Sequence, residues 1–488
     1  MSRNVEIKYN KLFINNTFVD SVTKKTFPTF NPMTEEKIAD VAEAQKEDVD
    51  VAVAAAKKAF SRGSPWRSMN ASNRGKLINK LADLLDRDSQ YLSELETLNS
   101  GKPLDAVVGE LIMYSNTLRY YAGLCDKIHG NTIPVDGPGF SMTKKEPVGV
   151  VAQIIPWNYP IGMAIWKIGP ALCTGCTLIL KPAEQTPLTA LVLAALTKEA
   201  GFPDGVVNIL PGYGPIAGEA LCLHQDVRKV AFTGSTDIGH KILEYSAKSN
   251  LKRVSLELGG KSPLVIFDDA DLDDAVNIAH AAIFENQGQS CCAGSRTFVQ
   301  SGIYQEFVRK AVEKAKSRKV GNPFENGVIQ GPQIDKPSLD KILRIVEESK
   351  KQGAKLETGG SRIGEKGYFV EPTVFSDVKD DMSCALNEIF GPVQTILKFD
   401  TLDEVIERAN KTTYGLAAGV ITKNLDNALV FANAVEAGSV WINTYDYITP
   451  QTPFGGVKKS GFGKDLGADS VDDYLETKAI TIMLPVKN

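Results

Sequence analysis

Histidine and cysteine are scarce in this chain: four and seven among 488 residues. His129, His224, His240 and His280 are scattered, and none has a second histidine or an acidic pair at metal-ligand spacing. Cys173 and Cys176 form a lone CxxC without a second pair, which reads as two small buried thiols near a strand; no metal is expected. An odd, sparse set of cysteines excludes a disulfide scaffold and points to a reducing compartment. Neither charge sign dominates, since 55 basic and 59 acidic residues leave a formal net charge of −4. That removes the usual basis for binding nucleic acid, and no basic run suited to an anionic membrane stands out. Residues 1–20 alternate charged and apolar positions, with neither the apolar core of a secretory leader nor an Arg/Ser-rich transit pattern, so a cytoplasmic location is expected. Residues 147–166 carry no charge and are long enough to cross a bilayer. They include Gln153, Pro156, Asn158, Pro160 and Gly162, which would leave backbone groups unsatisfied in lipid. A buried strand over 148–155 running into an irregular loop is expected instead.

Apolar residues make up 43% of the chain, enough for a sizeable core, and the length suggests about three domains. There is no fixed-period repeat or low-complexity tract. Residues 48–62 read as an Ala-rich helix and 73–95 as one longer amphipathic helix. A βα series follows, with strands over 148–155, 177–181, 206–210 and 229–233 and a helix over 187–201. A second series places strands at 264–267, 297–300, 394–399, 419–422 and 439–442, and helices at 303–316, 336–352, 402–410 and 425–436. The break between the series falls near Gly259 and Gly260. Strands alternating with helices predict parallel sheets covered on both faces. The tail, 478–484, is β-prone without a local partner, so pairing across a subunit boundary is expected.

Several side chains could carry chemistry. Cys291 sits among small and polar residues, as a reactive thiol would, although a buried thiol is the commoner case. Its neighbour Cys292 would point away from the same site if the segment were extended. Glu257, between Leu256, Leu258 and two glycines, would be partly desolvated, which raises a carboxyl toward the range of a general base; an ordinary strand-end Glu is the alternative. Asn158, between aromatic and proline residues, could donate to a developing oxyanion or simply occupy a turn. Gly212–Gly218 is GxGxxxG, a weak nucleotide signal on its own. Gly234 and Ser235 open a helical pattern after a strand, where free N–H groups suit a pyrophosphate. Lys181 and Glu184 end another strand and could hold ribose hydroxyls or form a solvated pair.

Taken in order, seven segments resemble the aldehyde dehydrogenase superfamily over almost the whole length. They are Pro156-Trp-Asn-Tyr-Pro160, Lys181-Pro-Ala-Glu-Gln-Thr-Pro187, Phe232-Thr-Gly-Ser-Thr236, Leu256-Glu-Leu-Gly-Gly-Lys261, Gln287-Gly-Gln-Ser-Cys-Cys292, Glu388-Ile-Phe-Gly-Pro392 and Pro453-Phe-Gly-Gly456. The resemblance is closest to the cytosolic and mitochondrial class that includes retinal dehydrogenases. It implies an α/β fold with a Rossmann-like NAD-binding domain (1–124 and 146–259), an α/β catalytic domain (260–459) and a small β oligomerisation element (125–145 and 475–488) through which the chain forms a homo-oligomer, a dimer or tetramer. It implies oxidation of an aldehyde to a carboxylic acid with NAD, through a thiohemiacetal and thioester on Cys291. Glu257 would be the base, and Asn158 with the Cys291 backbone N–H the oxyanion hole. Lys181 and Glu184 would hold the adenosine ribose, Ser235 and Gly234 the pyrophosphate with Trp157 nearby, Gly214 and Pro215 the adenine end, and Glu388 and Phe390 the nicotinamide end. An acid at Glu184 would repel a 2′-phosphate, favouring NAD over NADP.

By the same resemblance the substrate tunnel would include Met113, Tyr159, Met163, Trp166, Glu285, Ser290, Asp446, Ile448 and Phe454. The chain departs from the pattern at Glu285, where relatives carry a bulky aromatic or apolar residue, at Ser290, often Cys, and at Asn387, usually Glu. Glu285 and Asp446 are expected to place negative charge near the tunnel mouth and to favour aldehydes with a polar or cationic group.

Overall fold

In the computed structural model residues 5–485 are described; residues 1–4 and 486–488, at the ends of the expected cofactor and oligomerisation units, lie outside them. Two large sheets organise the chain. The first has eight strands in the order Gly461–Phe462, Arg253–Glu257, Lys229–Thr233, Val150–Ile154, Thr177–Lys181, Val207–Ile209, Leu12–Ile14, Thr17–Val19. Its five strands from Arg253–Glu257 to Val207–Ile209 run parallel. Thr177–Lys181 and Lys229–Thr233 have the bounds predicted and are buried at every position, the pattern of strands covered on both faces. Leu12–Ile14 and Thr17–Val19 form a hairpin whose connecting residues Asn15 and Asn16 have φ of 52° and 58°. Asparagine tolerates that left-handed region, and the resulting turn matches the strand twist.

The second sheet has seven strands in the order Lys355–Thr358, Thr373–Ser376, Val393–Phe399, Arg296–Gln300, Pro263–Ile266, Ala417–Ile421, Ser439–Ile442. All neighbours are parallel except the first pair. The change of sheet therefore falls between Glu257 and Pro263, across Gly259 and Gly260.

Three expectations are corrected. The helix expected over 73–95 is two helices, Ala71–Arg87 and Ser89–Ser100, broken at Asp88, whose φ of −97° and ψ of 12° are not helical. In 147–166 the strand is Val150–Ile154 and the irregular part is short, because Pro160 starts a helix, Pro160–Thr174, buried along its whole length. Proline suits that first position because its missing N–H would be unpaired anyway. Among the described residues no helix is long and apolar enough to cross a membrane. Finally, the tail strand finds its partner within the chain: Leu475–Met483 pairs antiparallel with Gly139–Pro147 over nine residues, and Thr132–Ile133 completes a three-stranded sheet. Among the described residues, no strand lies beside the outer edge of Leu475–Met483 in this sheet.

Candidate active site

Glu257 ends the strand Arg253–Glu257 of the first sheet. Cys291 lies in the loop between the helix Leu272–Phe284 and the strand Arg296–Gln300 of the second. Asn158 lies between the strand Val150–Ile154 and the helix Pro160–Thr174. All three line one cavity of about 830 Å³. Cys291 is half-buried there, whereas Glu257 and Asn158 are 5% and 6% exposed.

The cysteine loop is held in an unusual conformation. Asn286, Gln287 and Gly288 have φ of 47°, 59° and 73°, three left-handed residues in succession. Asn286 Nδ2 donates to the carbonyls of Asn158 (2.8 Å) and Gln289 (3.1 Å), and Asn158 Nδ2 donates to the Gln289 carbonyl at 3.0 Å. The loop and the Asn158 segment are thus laced together through backbone oxygens. Strain of this kind costs about 1–3 kcal/mol per residue and persists where surrounding contacts impose it. A Cβ at Gly288 would stand 2.0 Å from the Gly391 carbonyl oxygen. Gly288→Ala is therefore expected to lose at least about 2 kcal/mol of stability, read as a lower Tm in thermal melting; an unchanged Tm would mean that the loop packs otherwise.

Both carboxylate oxygens of Glu257 are buried without a hydrogen-bond partner among the described residues. Burial, and after it the negative Asp465, push this carboxyl well above the usual range, against the pull of Lys167 and Lys464. Lys167 and Asp465 form a buried ion pair at 2.5 Å, and Asp465 lines the same cavity. Sequence reasoning missed this pair. The signal available was Lys167 itself, a charge closing a twenty-residue uncharged run.

At one end the cavity is lined by Trp157, Gly234, Ser235, Glu388 and Phe390. Glu388 accepts from the Gly260 N–H at 3.0 Å. A Cβ on Gly259 would meet its carboxylate at 2.6 Å, so the close approach needs glycine. Burial raises the Glu388 carboxyl, opposed by that N–H and by Lys341 and Lys261. Trp157 and Phe390 pack edge to face at 5.4 Å. Ser235 caps the helix Thr236–Lys248, its side chain accepting from Ile238 N. Lys181, Glu184, Gly214 and Pro215 do not line this cavity. They form a separate patch, with Lys181 Nζ 3.6 Å from Glu184 and the Lys181 stem against Gly218 of the turn Gly214–Gly218. Burial lowers the Lys181 ammonium, and Glu184 opposes that shift. Lys181 ends a parallel strand, and Gly234 and Ser235 directly follow another, the strand ends where open α/β sheets bind ligands.

All nine expected tunnel residues line the cavity. Met113, Tyr159, Met163, Trp166, Ile448 and Phe454 make its apolar wall, with Trp166 and Phe454 edge to face at 5.4 Å. Glu285 is open to solvent at the rim; the protein packed around it, and then Asp446, raise its carboxyl while Arg318 opposes. Beside it, Lys102 is buried against Glu110 at 2.7 Å and over the Tyr159 ring at 3.8 Å, and Tyr114 donates to Glu110.

The segment at Cys291 is a turn, not extended chain, so Cys291 and Cys292 both line the cavity. The Cys292 thiol donates to Asp446 Oδ1 at 3.1 Å, and Ser290 Oγ lies 3.4 Å from its sulfur. Asp446 therefore reaches to the thiol loop as well as charging the wall. Cys173 and Cys176 are buried free thiols. Among the described residues no group of three or more His, Cys, Asp or Glu side chains is arranged to hold a metal ion.

One cavity between two α/β sheets thus brings together a half-buried cysteine and a buried carboxyl without a hydrogen-bond partner among the described residues. The model of the aldehyde dehydrogenase family matches residues 18–480, and this chain belongs to that family. It is 58% identical over 487 residues to aldehyde dehydrogenase 1A1 of Gallus gallus, covering 100% of this chain and 96% of that protein. It is 58% identical over 484 residues to the mitochondrial aldehyde dehydrogenase of Mesocricetus auratus, covering 99% and 97%. The structure of the Bacillus cereus aldehyde dehydrogenase in complex with NAD+ superimposes with a TM-score of 0.96 at 49% identity, covering 98% of this chain and 97% of that one.

Proposed function

We propose that the chain oxidises an aldehyde to a carboxylic acid with NAD, with Cys291 as nucleophile, Glu257 as base, and Asn158 with the Cys291 backbone N–H as oxyanion hole. The observation that carries this reading is the convergence of a half-exposed thiol, a buried unpartnered carboxyl and a buried amide on one cavity. A protein that only bound a ligand would need none of the three. An NAD-coupled screen over short, long, aromatic, retinoid and amino aldehydes tests it by absorbance of NADH; formation from no aldehyde class sinks it.

The residues present fit the dinucleotide. Thr233 Oγ1 is buried at the cavity wall without a partner among the described residues, and the Glu388 carboxyl lines the same wall while anchored to Gly260 N–H. Glu388 and Phe390 would receive the nicotinamide end, Ser235 and Gly234 the pyrophosphate beside Trp157, Lys181 and Glu184 the adenosine ribose, and Gly214 with Pro215 the adenine. Bound there, NAD supplies an acceptor for the hydride that the substrate carbon gives up. The protein does the rest. Cys291, as thiolate, attacks the aldehyde carbon. Asn158 Nδ2 and the Cys291 N–H donate to the resulting alkoxide, a contribution of about 3 kcal/mol for one well-placed donor. After oxidation Cys291 carries the acyl group as a thioester. Glu257, whose carboxyl burial raises well above the usual range, takes a proton from water in its ionised form; the hydroxyl adds to the acyl carbon and the Cys291 sulfur leaves.

The acids at the wall favour substrates with a cationic or donor group, since among the described residues Glu285 forms no direct ion pair, Arg318 acting on it only through its field, and Asp446 adds negative charge beside it. An exposed charge of this kind contributes about 1 kcal/mol or less. In Glu285→Phe the kcat/KM ratio of an aminoaldehyde to an alkyl aldehyde of equal length should fall roughly fivefold. A wild-type preference for the alkyl compound, unchanged in the variant, would remove the idea.

The NAD-binding unit is assigned to 1–124 and 146–259, the catalytic unit to 260–459, and the oligomerisation element to 125–145 and 475–488. The open edge of Leu475–Met483 supports pairing with a further copy of the chain, because unpaired strand edges are commonly covered. Seven free thiols support a reducing compartment such as the cytoplasm.

A further inference from the structure

Two adjacent thiols share the cavity, and the reaction uses one. The structure distinguishes them by their surroundings. Cys291 is half-buried and faces the cavity. Cys292 is 3% exposed and held on three sides. Its carbonyl accepts from Tyr445 Oη at 2.7 Å, its sulfur donates to Asp446 Oδ1 at 3.1 Å, and Ser290 Oγ lies 3.4 Å from that sulfur. Tyr445 is seated against glycines: a Cβ at Gly419 would stand 2.6 Å from its ring, and one at Gly294 3.4 Å. Asp446 itself has φ of 55°, a left-handed conformation that aspartate adopts at a cost and that persists where function or packing requires it.

We propose that Asp446 is a positioning residue that fixes the Cys292 thiol in its protonated form against the cavity wall, so that only Cys291 of the vicinal pair reacts with the aldehyde. The inference rests on Cys291 being the nucleophile. Its physical basis is the direction of the hydrogen bond. A carboxylate can only accept, so the thiol facing it keeps its proton, and a protonated thiol is a poor nucleophile. The groups around the Cys292 sulfur act in the same sense. The Cys291 thiol, then burial, then Asp446 push the Cys292 thiol well above its ordinary range, with only Ser290 opposing. Burial raises the Asp446 carboxyl and Glu110 adds to it, while the bond from Cys292 lowers it. Tyr445, raised by burial and by Cys292 and Asp446, remains a neutral donor. Glu285 faces Asp446 from the rim, with Arg318 beyond it.

The test is alkylation of the full-length chain in a Cys291→Ser background, with iodoacetamide as probe and peptide mass mapping as readout. With Asp446 intact, Cys292 should label slowly. In Asp446→Ala its labelling should accelerate at least tenfold. In Asp446→Asn, which keeps an acceptor oxygen of the same shape and removes the charge, the rate against pH should shift to lower pH, because a neighbouring anion no longer opposes thiolate formation. Cys173, Cys176 and Cys384, buried elsewhere, should stay unlabelled in every variant. A Cys292 rate independent of residue 446 overturns the proposal. So does labelling of Cys292 only together with those three, which would mean general loosening. NADH formation in Cys291→Ser with Asp446 intact is measured alongside; if it persists, the assignment of the nucleophile has failed, whatever Cys292 does.

Discussion

Replacing Cys291 by serine should reduce NADH formation by roughly three orders of magnitude or more, with NAD binding retained. The change replaces one sulfur by oxygen and nothing else. A serine hydroxyl at the same place is a far weaker nucleophile without an adjacent base to activate it, and the four histidines include only His280 on the cavity wall. His280 cannot easily serve: burial, Arg318 and Lys314 lower its imidazole to about 3, and it packs on Phe284. Calorimetric titration with NAD separates the two consequences. Activity lost with binding intact supports the assignment; activity retained would transfer the chemistry to another group, and Cys292 would be the first to examine.

Glu257→Gln should lower steady-state turnover by roughly 10²–10⁴-fold while sparing the first turnover. In the proposed sequence of steps the carboxyl is needed only to release the acyl group, after the oxidation. Rapid mixing should show a burst of about one NADH per active site followed by near-arrest. The wild type should carry a matching pH dependence. Burial and Asp465 raise the Glu257 carboxyl, and the base is its ionised form. Turnover is therefore full above this raised value and falls as pH drops through it. In Glu257→Gln that limb should vanish. A burst absent from the variant would move Glu257 to an earlier step.

Much of this arrangement was legible in the residue order. Continuous apolar runs such as 177–181 and 229–233 can only be satisfied inside a sheet covered on both faces, and there the predicted and observed bounds agree. The helix break at Asp88 was not legible, because apolar residues recur at helical spacing on both sides of it. The helix Leu104–Leu124 was passed over, as was Leu272–Phe284, although Asp271 caps the latter through two backbone N–H groups. At the site, single residues in recognisable strings were found. Relations between distant residues were not: the ion pair of Lys167 with Asp465 spans 298 positions, and the bond from Cys292 to Asp446 spans 154. Periodicity and motif spacing carry no information about such pairs, which arise only when distant stretches of chain fold onto the same sheet, Lys167 and Asp465 beside the first and Cys292 and Asp446 beside the second.

Glu257 hangs from one sheet and Cys291 from the other. With these two residues acting as proposed, turnover demands that both layers be intact and docked at the same time. During heating or denaturant titration, catalysis should end with whichever layer lets go first. Helical signal or tryptophan emission surviving in the sturdier half would then overstate how much working enzyme is left.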